Sequence, residues 1–267
     1  MTDRSAELER MLHGLRLGTM ARLFSETAVR AAREGLTHEE FLYELVCLEV
    51  ESKDARRVER MLAQSFLPRE KNFETLEITC YPLAIRQQLA QLRRGAFLDD
   101  AVNVVAVGQP GTGKSHLAAA IGIELAQQGR SVLWTPTFAL VQNLLAAKRD
   151  LKLPRELARL QRFECLVLDD IGYVQQDRDE MEVLFTLLSN RYETRSTIIT
   201  TNLVFSEWTR IFKDPMTTQA AIDRVVHHSV ILDLVGVPSY RAKKAEEDQK
   251  KKKPKEPPPD SPDEPVL

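Results

Sequence analysis

Apolar residues recur at helical spacing through the first quarter of the chain and in short continuous runs thereafter, and that change of period divides it. Leu8, Met11, Leu12, Leu15 and Leu17 mark a first helix, and residues 20–32 a second. Thr37-His38-Glu39-Glu40 has the T-x-x-E form of a capping box, in which the Thr hydroxyl and the Glu carboxylate each satisfy a backbone N–H left over at a helix start. It opens a third helix through Phe41, Leu42, Leu45, Val46 and Leu48 that continues over 53–64 and ends before Pro68. Residues 69–82 read as a connector, and 81–92 as a short helix leading onward. From Val102 β-branched runs alternate with helices. Strands are expected at 102–107, 131–135, 165–169, 196–201 and 230–234, and helices at 115–128, 137–149, 154–162, 179–192 and 217–227. Strands that are apolar throughout are buried on both faces. The predicted fold is therefore α/β, a parallel sheet with helices on both faces, preceded by a small all-α N-terminal domain.

The expected boundaries are 1–68 for the helical domain, 69–95 for the connector and 96–241 for the α/β domain. In 242–267 a lysine run (Lys250 to Lys253, then Lys255) precedes a Pro- and acid-rich end that cannot bury a core, so a disordered tail is expected. No apolar run approaches the ~20 residues of a membrane span. The opening Met1-Thr2-Asp3-Arg4 lacks the layout of a signal peptide. Cys47, Cys80 and Cys165 are widely spaced, with neither a C-x-x-C pair nor metal-ligand spacing. Together these point to a cytoplasmic protein with no membrane partner. A formal net charge of −2 removes any global attraction to nucleic acid, so such contacts must come from local patches.

The strongest chemical signal is Gly108-Gln109-Pro110-Gly111-Thr112-Gly113-Lys114-Ser115, a complete G-x-x-x-x-G-K-S phosphate loop between an expected strand and an expected helix. Its glycines allow backbone N–H groups to reach phosphate oxygens, and the helix N-terminus adds partial positive charge. Lys114 should reach the β- and γ-phosphates and Ser115 should place its hydroxyl on Mg²⁺, so the expected ligands are a nucleoside triphosphate, ATP, and Mg²⁺. His116 more simply orients the loop helix. Asp169 ends an apolar strand and is placed to hold Mg²⁺ through water, or merely to cap a turn. Asp170 is the candidate base for the attacking water, against a supporting or turn role. Asn202 follows the fourth strand and can orient that water, although Asn after a strand is commonly a turn residue.

Arg224 has two readings. It is either a finger lent across a subunit boundary or a surface partner of Asp223. Arg241 touches phosphate or is a solvated terminal Arg, and Arg191 is a further, less supported finger candidate. His227-His228 show no metal-like partners in sequence, so a solvated or core role is expected. Two basic patches are candidate DNA contacts or plain solvated faces. One is Lys53, Arg56, Arg57 and Arg60 on one helical face; the other is Lys148, Arg149, Lys152, Arg155, Arg159 and Arg162.

The phosphate loop with its following His-Leu-Ala, Leu168-Asp169-Asp170-Ile171-Gly172-Tyr173, Leu184-Phe185, Arg191-Tyr192, Ile199-Thr200-Thr201-Asn202-Leu203, Glu207-Trp208, Ala221-Ile222-Asp223-Arg224 and Ser239-Tyr240-Arg241 stand in one order along the chain. That order resembles the IstB family, transposition helper ATPases of insertion sequences related to DnaC helicase loaders within the AAA+ class. Gly14 to Met20 and Glu39-Glu40-Phe41-Leu42 are similar to that family as well. The resemblance implies that Asn202 is a sensor and Arg224 a finger. It also implies ATP-dependent homo-oligomer assembly on double-stranded DNA and handover to a cognate transposase. Many relatives carry Glu where Asp170 stands, and Gly236-Val237-Pro238 departs from their usual tract. The competing readings are a DnaC-like helicase loader, a small-molecule P-loop kinase and a non-hydrolysing DNA-binding adaptor.

Overall fold

The structure is a computed structural model that describes residues 3–173, 178–212 and 214–240. The expected tail at 242–267 and Arg241 lie outside the described residues. The chain opens with α1 (Asp3–Gly14), α2 (Gly18–Glu34) and α3 (His38–Gln64). The first helix stops at Gly14 instead of continuing to Leu17, because Arg16 turns left-handed at φ 60°. The capping box forms as expected, with Thr37 N–H donating to Glu40 Oε2 at 2.8 Å and Glu40 N–H to Thr37 Oγ1 at 3.3 Å.

Leu17, the N-cap residue before α2, offers no side-chain cap. The free donors of α2, Thr19 N–H and Met20 N–H, instead reach the buried carboxylate of Glu49 on α3, at 2.7 and 2.9 Å. Burial opposes the charge on Glu49. The two backbone donors, with Lys53 at 3.6 Å and Arg56 at 3.7 Å, outweigh it and hold the carboxyl below its ordinary range.

After a connector and α4 (Leu83–Leu92), strands and helices alternate. The strands are β1 (Asn103–Val107), β2 (Val132–Pro136), β3 (Cys165–Asp169), β4 (Ser196–Thr201) and β5 (Ser229–Asp233). Between them run α5 (Lys114–Gln127), α6 (Thr137–Arg149), α7 (Leu153–Leu160), α8 (Arg178–Arg191), the short α9 (Thr209–Phe212) and α10 (Pro215–Val226). The sheet is parallel throughout, in the order β2-β3-β4-β1-β5. It divides two cores. Val104 and Ala106 of β1 face α4, α5, Leu67 and the connector residues Leu76 and Tyr81, whereas Val105 and Val107 face α6 through α10. Among the described residues no helix is long and apolar enough to cross a membrane.

Arg191 is not placed to act as a finger. Its side chain is 1 % exposed and donates to the carbonyls of Leu160, Phe163 and Ser196 at 3.0, 3.1 and 2.7 Å and to the Thr197 hydroxyl at 3.2 Å. Burial lowers its pKa to about 10, so it stays charged at neutral pH. It ties the end of α8 to the starts of β3 and β4. Arg191→Ala would strand those carbonyls, and a loss of about 3–5 kcal/mol in chemical denaturation is expected.

Candidate nucleotide-binding site

The phosphate loop leaves β1 and enters α5 with Gly111 and Gly113 at φ 88° and 91°, conformations that side chains strain to adopt. A Cβ at Gly113 would run into the Tyr81 hydroxyl, which donates to Thr112 O at 3.2 Å. Burial raises the Tyr81 pKa to about 12, so it remains a donor at any working pH. Gly108 is equally confined, since a Cβ there would stand 3.0 Å from Leu234 O beyond β5. Lys114 folds back, its Nζ donating to Gly108 O at 2.8 Å and Gln109 O at 2.9 Å. His116 Nε2 lies 3.0 Å from Asn72 O and 3.1 Å from Thr75 Oγ1, which fastens the connector to α5. On the other side Tyr240 N–H donates to Gly111 O at 3.0 Å.

Connector, loop and C-terminal segment enclose a cleft of about 660 Å³. Thr75, Leu76, Glu77, Cys80 and Tyr81 form one wall, residues 110–116 the floor, and Val237 to Tyr240 the other wall. Asp170, Thr200 and Asn202 close the far end. Gly108 and Gln109 lie behind the floor, where they hold Lys114.

β4 lies between β1 and β3, so the loop and Asp169 are separated by one strand. Thr200 of β4 spans that gap. Its hydroxyl accepts from Asp170 N–H at 2.8 Å and donates to Asp169 Oδ1 at 2.7 Å, fixing both acids with one side chain. Thr137 Oγ1 donates to Asp169 O at 2.9 Å, so this strand end is held from both sides. Asp170 is left-handed at φ 61°, and its Oδ1 is buried with no hydrogen-bond partner among the described residues. Burial, then the neighbouring Asp169, push its carboxyl above the ordinary range against the pull of Lys114. Asn202 packs on Gly172, where any Cβ would overlap its Oδ1.

Sequence reasoning missed Thr200, Tyr81 and Tyr240 in the site. The Thr-Thr pair before Asn202 was the only trace of the first.

Arg224 does not line the cleft of its own chain. Its guanidinium lies 4.9 Å from the Phe185 ring centroid and donates to Ala220 O at 3.0 Å.

The basic patches differ in how far they are committed. Lys53 and Arg56 serve Glu49, Arg57 reaches over Gly129 at the end of α5, and Arg60 is exposed. Lys148 pairs with Asp179 and Glu182 at 2.9 and 3.0 Å, and the exposed Arg149 adds attraction to Asp179. Lys152, Arg155, Arg159 and Arg162 line a groove of about 590 Å³ between α6 and α7 against Asp150 and Glu156. Arg155 and Arg162 are exposed and make no ion pair among the described residues.

The family model of IstB-like ATP binding proteins matches residues 10–248. The chain belongs to that family. It is 43 % identical to an insertion-sequence ATP-binding protein of Sinorhizobium fredii over 91 % of this chain and 81 % of that one. It is 35 % identical to the IS21 insertion-sequence ATP-binding protein of Pseudomonas aeruginosa over 89 % of each. Among solved structures, the DnaC helicase loader has a TM-score of 0.52 at 20 % identity, covering 61 % of this chain and 96 % of its own. DnaI has 0.53 at 19 %, covering 63 % and 94 %. These likenesses show that this family member shares the fold of those loaders, a parallel sheet with helices, and its own helices α1 to α3 make the N-terminal region.

Proposed function

We propose that this IstB-like protein is an ATPase that assembles on duplex DNA and delivers or activates a transposase at target sites, with hydrolysis as the switch. The observation that carries the reading is the far end of the cleft. There Asp170, with one carboxylate oxygen buried and unpaired among the described residues, lines the same space as Lys114, Ser115 and Asn202. A carboxylate kept dry and above its ordinary pKa is what proton abstraction from water requires.

ATP would lay its triphosphate against the loop N–H groups and the α5 N-terminus, and Lys114 would exchange its carbonyl partners for β- and γ-oxygens. Ser115 and Asp169 offer hard oxygen donors that would hold Mg²⁺, and the ion would supply charge neutralisation to the triphosphate. Asn202 orients a water, and Asp170 takes its proton as the water oxygen bonds to γ-phosphorus. The bond to the β,γ-bridging oxygen breaks and ADP leaves with the electron pair. Thr200 holds both acids in place. Arg224, remote from its own cleft, would serve a neighbour's. The α6–α7 groove is favoured as the main DNA contact, because beyond the Lys152–Asp150 and Arg159–Glu156 pairs it keeps Arg155 and Arg162 exposed with no ion pair among the described residues.

The test is steady-state ATP hydrolysis with and without duplex DNA. Stimulation by DNA is expected. Binding without turnover would favour the adaptor, and turnover that needs a small-molecule acceptor would favour the kinase. Alanine at Lys152, Arg155, Arg159 and Arg162 together should flatten the plot of log affinity against log salt by about 3.6, near 0.9 per lost phosphate contact. An unchanged slope would move the DNA elsewhere.

A further inference from the structure

Three ligand-bearing side chains meet where α8 and α10 end, away from the nucleotide cleft. Glu193 follows α8, His227 caps α10, and His228 precedes β5. One ligand atom from each lies within 4.8 Å of the other two, and all three residues are exposed. Glu193 Oε1 is 3.7 Å from His228 Nε2, and the imidazole rings stand edge to face with centroids 4.2 Å apart. The Tyr192 hydroxyl sits 3.1 Å from His227 Nδ1, the kind of outer partner that orients a ligating imidazole.

We propose that Glu193, His227 and His228 form a surface site for a divalent transition metal of the Zn²⁺ class. Atoms about 2.1 Å from one tetrahedral ion lie about 3.4 Å from one another, so the cluster closes through shifts of up to about 0.8 Å in each side chain. Exposed side chains have that freedom, while their backbones are fixed. His228 O accepts from Asn103 N–H at 2.7 Å, and Thr194 N–H donates to Arg191 O at 3.1 Å. Two imidazoles and one carboxylate select Zn²⁺, Co²⁺ or Ni²⁺ over Mg²⁺, which prefers the all-oxygen donors of the cleft. Three protein ligands leave positions open to water or to a residue of another molecule. An occupied site would clamp the end of α8 to the end of α10, one turn beyond Arg224.

Cobalt titration of the full chain in millimolar Mg²⁺ tests this. One equivalent should bind with d–d absorption typical of nitrogen and oxygen ligands, without the thiolate charge-transfer band that Cys80 or Cys47 would give, and Zn²⁺ should displace it. His227→Ala with His228→Ala should weaken binding at least about tenfold, as should Glu193→Gln alone, with melting curves without metal unchanged. Absence of stoichiometric binding to the wild type, equal binding by the double variant, or a thiolate band would each overturn the site.

Discussion

Asp170→Asn should lower ATP turnover by about 10²–10⁴ while ATP affinity is kept or raised. Asn removes the proton acceptor and a negative charge that faces the γ-phosphate end of the cleft, and it changes little else. The backbone there is left-handed at φ 61°, a region that Asn tolerates as well as Asp, so the variant tests charge and not conformation. Glu at this position would gain reach but lose that tolerance, which gives a physical reason for Asp in this chain.

The pH dependence follows from the same burial. The carboxyl of Asp170 is raised by desolvation first and by Asp169 second, so it is ionised, and able to accept a proton, only above its elevated pKa. The acidic limb of the kcat/KM profile should therefore fall as pH drops through that value and vanish in the Asn variant. For stability the sign is opposite to that of a salt-bridged carboxylate. The folded state holds this proton more tightly than the unfolded chain does. The contribution is thus full below the unfolded pKa and lost as pH rises through the folded one. Asp170→Asn should accordingly melt above the wild type at neutral pH, with the gap closing in acid. Hydrolysis assays, nucleotide titration and melting across pH read all three. Turnover equal to wild type would remove Asp170 from the chemistry.

The parallel sheet and the phosphate loop were legible because each rests on local pattern: continuous β-branched runs, and eight adjacent residues whose types the cradle requires. The capping box at Thr37 was legible for the same reason. What escaped notice depends on which segments become neighbours. Nothing in the order of the strands along the chain says that β4 inserts between β1 and β3, and only that insertion gives Thr200 its two acids. Glu49 caps a helix whose start lies 30 residues earlier, and Glu193 approaches His227 and His228 across more than thirty residues of chain. Arg191 was read as a finger candidate because nothing local shows that an Arg at a helix end is buried. The carbonyls of three other segment ends surround it. Local chemistry was readable, and long-range pairing of polar groups was not.

Arg224→Ala should cost about 10³-fold or more in turnover, the range set by arginine fingers, while leaving ATP binding and the fold intact. Its contact with Phe185 is worth only about 0.5–1 kcal/mol, so a large loss of activity with a small change in melting would assign it to chemistry. Lys should not rescue it, because an ammonium lacks the planar fork that spreads over phosphoryl oxygens. The decisive version mixes two inactive proteins. Arg224→Ala keeps a complete cleft but offers no finger, and Lys114→Ala offers the finger but lacks the loop lysine. If the contact is head to tail between subunits, random equal mixing pairs a good cleft with a good finger at about one quarter of the sites, and about that share of wild-type activity should return. If Arg224 works within its own chain, every subunit in the mixture carries one defect and none recovers. Recovery should also depend on total protein concentration and on DNA, since both drive assembly. The absence of Arg224 from its own cleft makes the mixed result the expected one.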